Sequence, residues 1–91
     1  MEKYKIFEDG GHSWLEVEKE EIKKLNIADD ITHCSYINDD KVYLEEDCDM
    51  ITFAESKFDE IFDLYAKAEF IYLEDNPIRS YESYSKEKLY N

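Results

Sequence analysis

The chain has 91 residues, of which 24 are acidic and 11 are basic, so its formal net charge is −13. A protein this acidic repels phosphate groups, which argues against direct nucleic-acid binding and against docking on anionic membranes. The length fits one domain.

The N-terminal third of the chain predicts two strands and a helix. Residues 3–7 alternate between polar and apolar side chains, and residues 13–17 place Leu15 and Val17 on one face, so both segments predict β-strands. The pair Gly10-Gly11 between them predicts a tight turn with positive φ angles. Residues 18–26 predict a first helix, because apolar residues recur at near-helical spacing and acidic residues precede lysines, which suits the helix dipole.

The middle of the chain predicts a β-hairpin. Residues 31–37 and 42–46 read as strands that flank the turn-forming residues 38–41, Asn-Asp-Asp-Lys. Further along, residues 70–73 predict a last strand, which the Asn76-Pro77 pair ends.

A long second helix is predicted between the hairpin and the last strand. Asp47 or Asp49 can cap its first turn through a carboxylate that accepts backbone N–H bonds, and the helix runs to about residue 66. Its apolar positions recur at helical spacing and form one face, made of Ile51, Ala54, Phe58, Ile61, Phe62 and Tyr65.

This order of elements predicts a small single domain of the α+β class. We expect an antiparallel or mixed sheet of four or five strands with two helices on one face. Eight Tyr, five Phe and one Trp, with only two Gly and one Pro, are typical of a folded chain rather than a disordered acidic one. We assign residues 1–76 to a compact acidic domain and interpret residues 77–91 as a C-terminal edge segment or a partly mobile tail.

The cysteine content and the absence of long apolar runs indicate a cytoplasmic protein. The two cysteines, Cys34 and Cys48, do not make the disulfide framework of a small secreted domain. The first residues contain no apolar signal-peptide core, and no apolar run approaches ~18 residues. We therefore expect a soluble protein whose two thiols stay reduced.

The negative charge is concentrated in residues 1–76, which hold 22 acids and eight bases, and it is densest at residues 39–49. One interpretation is a solvated surface that keeps the protein soluble. The other is mimicry of DNA, in which a rigid array of carboxylates occupies a basic groove built for phosphates. The contact residues would then be Asp39, Asp40, Glu45, Glu46, Asp47 and Asp49, with a second row on the outer face of the second helix, made of Asp59, Glu60 and Asp63.

The only His and Cys residues of the chain, His12, His33, Cys34 and Cys48, form a candidate zinc site, because structural Zn²⁺ takes four N or S ligands. The spacing contains no C-x₂-C pair, and adjacent residues of a strand point to opposite sides, so at most one of His33 and Cys34 would join the other two. A nearby carboxylate would complete a mixed site, from Glu46, Asp47 or Asp49. The alternative is that the cysteines are small buried residues, His12 caps a loop and His33 is exposed.

We do not expect catalysis from this sequence. Carboxylates on both sides of Cys48 would raise its thiol pKa, whereas a catalytic thiol needs a depressed pKa. The sequence also contains no P-loop, dinucleotide-binding fingerprint, nucleophile elbow or H-E-x-x-H motif.

Three stretches together resemble small proteins from bacteriophages and mobile elements of Gram-positive bacteria, namely GGHSWLEV at 10–17, YLEEDCDM at 43–50 and PIRSYESY at 77–84. Small acidic phage proteins of this type are similar to anti-CRISPR and anti-restriction proteins. The resemblance implies a phage-encoded inhibitor that acts in the cytoplasm of the bacterial host. Its target would be a defence nuclease, such as the CRISPR effector Cas9, whose basic groove it would block against nucleic-acid loading.

The same resemblance bears on the zinc site. His33 and Cys34 lie outside the matched stretches, which favours His12 and Cys48 as the stable part of the four-residue site. The alternative function is a small structural zinc-binding protein that acts as a regulator or scaffold within the mobile element.

Overall fold

The computed structural model describes residues 3–91, which form a six-stranded mixed sheet with helices. The strands are β1 (Tyr4–Glu8), β2 (Ser13–Glu18), β3 (Tyr36–Asn38), β4 (Lys41–Glu45), β5 (Ala68–Tyr72) and β6 (Glu82–Ser83). They lie in the order β5-β1-β2-β4-β3-β6. The β1–β5 pair is parallel, and the other neighbouring pairs are antiparallel.

The helices of the described part are α1 (Lys19–Lys24), α2 (Met50–Phe58), α3 (Ile61–Tyr65), α4 (Lys86–Leu89) and a 3₁₀ helix (Pro77–Ser80). The predicted α+β class is therefore confirmed. The sheet has six strands rather than four or five, because β6 adds two residues to the β3 edge. None of these helices is both long enough and apolar enough to cross a membrane.

One carboxylate organises the β1–β2 turn. Asp9 Oδ1 accepts hydrogen bonds from the backbone N–H groups of Gly11 and His12, both at 2.9 Å. Neither Gly10 nor Gly11 has a positive φ angle, so that part of the turn prediction is wrong. The Asp side chain bonds to the backbone two and three residues ahead, and this bonding closes the turn without a left-handed glycine.

Residues 31–35 form a loop rather than the predicted strand, and β3 begins only at Tyr36. The buried Asp49 carboxylate accepts hydrogen bonds from the Thr32 N–H at 3.1 Å, the Thr32 hydroxyl at 2.9 Å and the Ser35 hydroxyl at 2.5 Å. These bonds hold the segment against the start of α2 and so compete with a strand ladder. Asp49 precedes α2, but its side chain makes no capping bond, which corrects the predicted cap.

The predicted long second helix is two helices, α2 and α3. Asp59 separates them with a φ angle of 77°, and a non-glycine residue in this conformation does not continue a right-handed helix. The predicted apolar face is only partly buried, because Ile51, Phe62 and Tyr65 are exposed. The fully buried positions of the two helices are Met50, Phe53, Ala54 and Leu64.

Both faces of the sheet are covered. All four α-helices contribute to one core, where Phe53 and Leu64 pack with strand residues such as Ile6 and Leu44. The opposite face carries a smaller cluster of Trp14, Tyr43 and Ile78, with Phe7, Tyr36 and Tyr81 around it. Residues 77–91 contribute to both clusters, through Ile78 on one side and Tyr84 and Leu89 on the other.

Candidate acidic surface and metal-ligand cluster

Seven of the nine carboxylates predicted to contact a partner are exposed, and none of the seven forms an ion pair within residues 3–91. Several other acids do form ion pairs, for example Glu18 with Lys41 and Asp29 with Lys86. The negative charge of the seven is therefore not neutralised by neighbouring cations of the described chain. These residues are Asp39, Asp40, Glu46, Asp47, Asp59, Glu60 and Asp63.

The stretch that is densest in acids does not form one patch. Asp39 and Asp40 lie in the turn before β4, whereas Glu46 and Asp47 follow its last residue. The five residues of β4 separate the two pairs, and the six steps of extended chain from Asp40 to Glu46 span about 20 Å. The two pairs therefore lie at opposite ends of the sheet.

Five of the seven exposed carboxylates lie at one end of the sheet. The ring of Phe58, the last residue of α2, packs against Tyr4 at the start of β1, with 6.1 Å between ring centroids. The strand register places the start of β1 at the same end of the sheet as the β3–β4 turn and the start of β5. The residues at this end, which we call the acidic end, are Asp39, Asp40, Asp59, Glu60 and Asp63.

Glu45 and Asp49 do not belong to the acidic surface, because both are buried. Asp49 is fully buried and binds the 31–35 loop, as described above. Glu45 is 8% exposed; its Oε1 accepts a hydrogen bond from the Asp47 N–H, and its Oε2 lies 2.9 Å from His12 Nδ1. Their burial argues against the predicted role as contact carboxylates, because their side chains already bond within the fold.

A second feature is a cluster of ligand atoms at the opposite end of the sheet. The ligand atoms of His12, Glu45, Glu46 and Asp47 all lie within 4.8 Å of one another. The pairing of β2 with β4 brings them together, because Trp14 is in register with Glu45. One imidazole nitrogen and three carboxylates form a mixed ligand set that could hold a metal ion.

The predicted zinc ligands are only partly assembled. His12 belongs to the cluster, and His33 is an exposed residue of the 31–35 loop. Cys34 is exposed and Cys48 is half-buried; both thiols are free, and they lie beside each other and near Glu45. The neighbouring Cys34, burial and then Glu45 raise the pKa of the Cys48 thiol to about 12. The direction agrees with the sequence argument, although Cys34 is a larger cause than the carboxylates.

The turn that carries His12 is fixed by the C-terminal segment. Arg79 donates to Asp9 from Nε at 2.8 Å and from Nη2 at 3.2 Å, and its guanidinium lies over the Trp14 ring, 5.0 Å from its centroid. Asn76 Nδ2 also donates to Asp9, at 3.0 Å. Arg79, Asn76 and the two turn N–H groups hold the pKa of Asp9 well below its usual range.

Sequence reasoning overlooked Asp9 as a positioning residue. The signal was present, because an Asp directly before Gly-Gly is typical of a turn that the Asp side chain closes.

No protein-family model matches the chain, and neither a curated protein nor a solved structure is significantly similar to it.

Proposed function

We propose that this protein is a stoichiometric inhibitor of a bacterial defence nuclease, of the anti-CRISPR type, encoded by a phage and active in the host cytoplasm. The observation that carries the proposal is the set of seven exposed carboxylates without an ion-pairing partner among residues 3–91. The sequence resemblance supplies the nuclease class, with a CRISPR effector such as Cas9 as the first target to test.

Electrostatics explain how such a surface would inhibit. A nuclease groove that accepts nucleic acid is lined with Arg and Lys, and each forms charge-assisted hydrogen bonds with a carboxylate as it does with a phosphate. A strong negative field also accelerates association with a basic groove and loses this effect as salt increases. The inhibitor binds the groove in place of the nucleic acid and does not contact nucleic acid itself.

The acidic end is the part of the surface best suited to this contact. Asp39 and Asp40 are in a tight turn, and Asp59 has a fixed backbone conformation between two helices. Carboxylates on such a rigid frame lose little conformational entropy when they bind. Glu46 and Asp47 lie about 20 Å away and would need a second site on the partner.

The direct experiment measures DNA cleavage by guide-loaded Cas9 with increasing amounts of this protein at low and high salt. We expect inhibition to saturate near one equivalent and to weaken with salt. The double variant Asp39→Asn with Asp40→Asn should inhibit less. The matched control is Glu74→Gln with Asp75→Asn, which changes the net charge equally at two exposed residues outside the acidic end. Absence of inhibition at tenfold excess in low salt would reject Cas9 as the target.

A second candidate function is a metal-stabilised regulatory or scaffold protein, with zinc as the proposed ion. The close approach of His12 to three carboxylates favours it. The test is zinc binding measured by calorimetry on metal-free protein. His12→Ala should weaken zinc binding at least about tenfold, since even residues that only orient a ligand contribute this much. His33→Ala is the control and should bind zinc as the wild type does.

A further inference from the structure

An exposed aromatic patch lies beside strand β5 and is not explained by folding. Phe62 is 70% exposed, Phe70 51% and Tyr72 66%, and Tyr65 lies between Phe62 and Phe70 with ring centroids 6.1 and 5.7 Å away. Isolated exposed apolar residues are common, but a contiguous aromatic group is typical of an interaction site. We call these four residues, Phe62, Tyr65, Phe70 and Tyr72, the edge patch.

The sheet register shows why the edge patch is uncovered. Phe70 is in register with Ile6, so the two side chains lie on the same face of the sheet, the face that the helices cover. Ile6 is 1% exposed because the helices pack on it, whereas Phe70, one strand further out, is 51% exposed and meets the helical layer at Tyr65 of α3. The patch thus joins exposed side chains of α3 to the part of β5 that the helices leave open.

The same strand is a free edge of the sheet. β5 has β1 as its only strand neighbour among the described residues, so one row of its backbone N–H and C=O groups has no strand partner. Natural edge strands are usually protected by charged side chains, by proline, by bulges or by being very short. The opposite edge, β6, has two residues, but β5 has five and no proline, and its one charged residue is the acid Glu69. β5 can therefore accept an additional strand from a partner.

The charge around the patch identifies the partner chemistry. Residues 59–75 contain six acids and one base, and Asp59, Glu60 and Asp63 are exposed, without an ion pair in the described chain, next to Phe62 in sequence. A second copy of this chain would bring equal negative charges together at this edge. A basic segment would instead pair with the acids while its apolar side chains pack on the aromatic rings.

We infer that β5 and the edge patch bind an extended basic segment of the target protein, which adds to the sheet as a seventh strand. Apolar residues of that segment pack against Phe70 and Tyr65. Its Lys or Arg residues that extend past the start of β5 pair with Asp59, Glu60 and Asp63, because within the added strand the residues that alternate with the apolar ones point to the other face of the sheet. The inference rests on the proposed function for the basic character of the partner. It adds a hydrophobic anchor to a contact that charge alone would leave non-specific.

The test uses a synthetic ten-residue peptide of alternating lysine and valine, with binding to the full chain measured by fluorescence anisotropy. Phe70→Thr should weaken binding about tenfold, as expected for loss of a central aromatic anchor. The control, Tyr90→Thr, removes an aromatic side chain that is 57% exposed outside the patch and should bind as the wild type does. A glutamate–valine peptide should not bind.

Equal binding by Phe70→Thr and the wild type would overturn the inference, as would equal binding of the lysine and glutamate peptides. A dimer in sedimentation equilibrium that Phe70→Thr dissociates would also overturn it, in favour of a second copy at this edge. Failure of the proposed function has a different signature. The wild type would bind the lysine–valine peptide in the Phe70-dependent way but leave nuclease cleavage unchanged.

Discussion

Asp49 provides the clearest test of which carboxylates stabilise the fold and which are free to contact a partner. The substitution Asp49→Ala removes an acceptor that is fully buried and that binds the Thr32 N–H, the Thr32 hydroxyl and the Ser35 hydroxyl. The Ser35 hydroxyl in turn accepts a hydrogen bond from the Glu45 N–H at 3.0 Å. Asp49 is therefore the last acceptor of a chain of bonds that fixes the loop to the sheet.

The expected cost follows from these contacts. A buried Ser35 hydroxyl without an acceptor costs about 1–3 kcal/mol, whereas the exposed Thr32 can bond to water, so its two lost bonds cost about 1 kcal/mol together. The free energy of unfolding should thus fall by about 3 kcal/mol. In a domain of this size, this corresponds to a melting temperature lower by about 12–24 °C.

The assay is thermal unfolding followed by circular dichroism at neutral pH. Asp47→Ala is the control, because Asp47 is exposed two residues away and should change stability by less than about 0.5 kcal/mol. In a double-mutant cycle, Asp49→Ala and Ser35→Ala should show a coupling of about 1 kcal/mol or more. Equal melting temperatures for Asp49→Ala and Asp47→Ala would refute the reasoning.

Three further predictions concern the turn, the thiols and the tyrosines. Gly10→Ala should raise the free energy of unfolding by about 0.4–1 kcal/mol, measured by urea unfolding. Gly10 has no positive φ angle, and an added Cβ would meet no atom within 4 Å. A loss of stability would contradict this. With a thiol reagent at pH 8, Cys34 should react rapidly because it is exposed, whereas Cys48 should react slowly because the pKa of its thiol is raised to about 12. The variant Cys34→Ser should therefore lose the fast phase of the reaction. Burial raises the pKa of Tyr4 and of Tyr84 to about 12, so both side chains are still mostly neutral at pH 11. The tyrosinate absorbance of a Tyr4→Phe variant at pH 11 should therefore be nearly that of the wild type. A decrease by one eighth or more, the share of one of the eight tyrosines, would contradict this.

The parts of the fold that depend on local pattern could be predicted. Alternation identified β1 and β2, and the turn residues located the β3–β4 hairpin. The break at Asp59 could not be predicted, because neither glycine nor proline marks it and the helical apolar spacing continues through it. The parallel pairing of β5 with β1 and the two-residue β6 also depend on tertiary packing that no local pattern records.

The candidate site shows the same division. Exposure of Asp39 and Asp40 follows from their place in a hairpin turn. The burial of Glu45 beside exposed Glu46 could not be derived from sequence, because it depends on β4 ending at Glu45 and on the contacts of Glu45 with His12 and the Asp47 N–H. The approach of His12 to Glu45 depends on the register between two strands that are separated in sequence by a helix, a loop and strand β3. Charge therefore predicted that a surface exists but not which carboxylates form it.

A measurement of the proposed association of this protein with guide-loaded Cas9 tests the central claim most directly. We expect the association rate constant, measured by surface plasmon resonance at low salt, to fall about tenfold when Asp39, Asp40, Asp59 and Glu60 are changed to their amides, while the dissociation rate changes little. High salt should remove most of the difference between this variant and the wild type. An equal association rate for the two proteins at low salt would contradict the claim that the acidic end makes the contact.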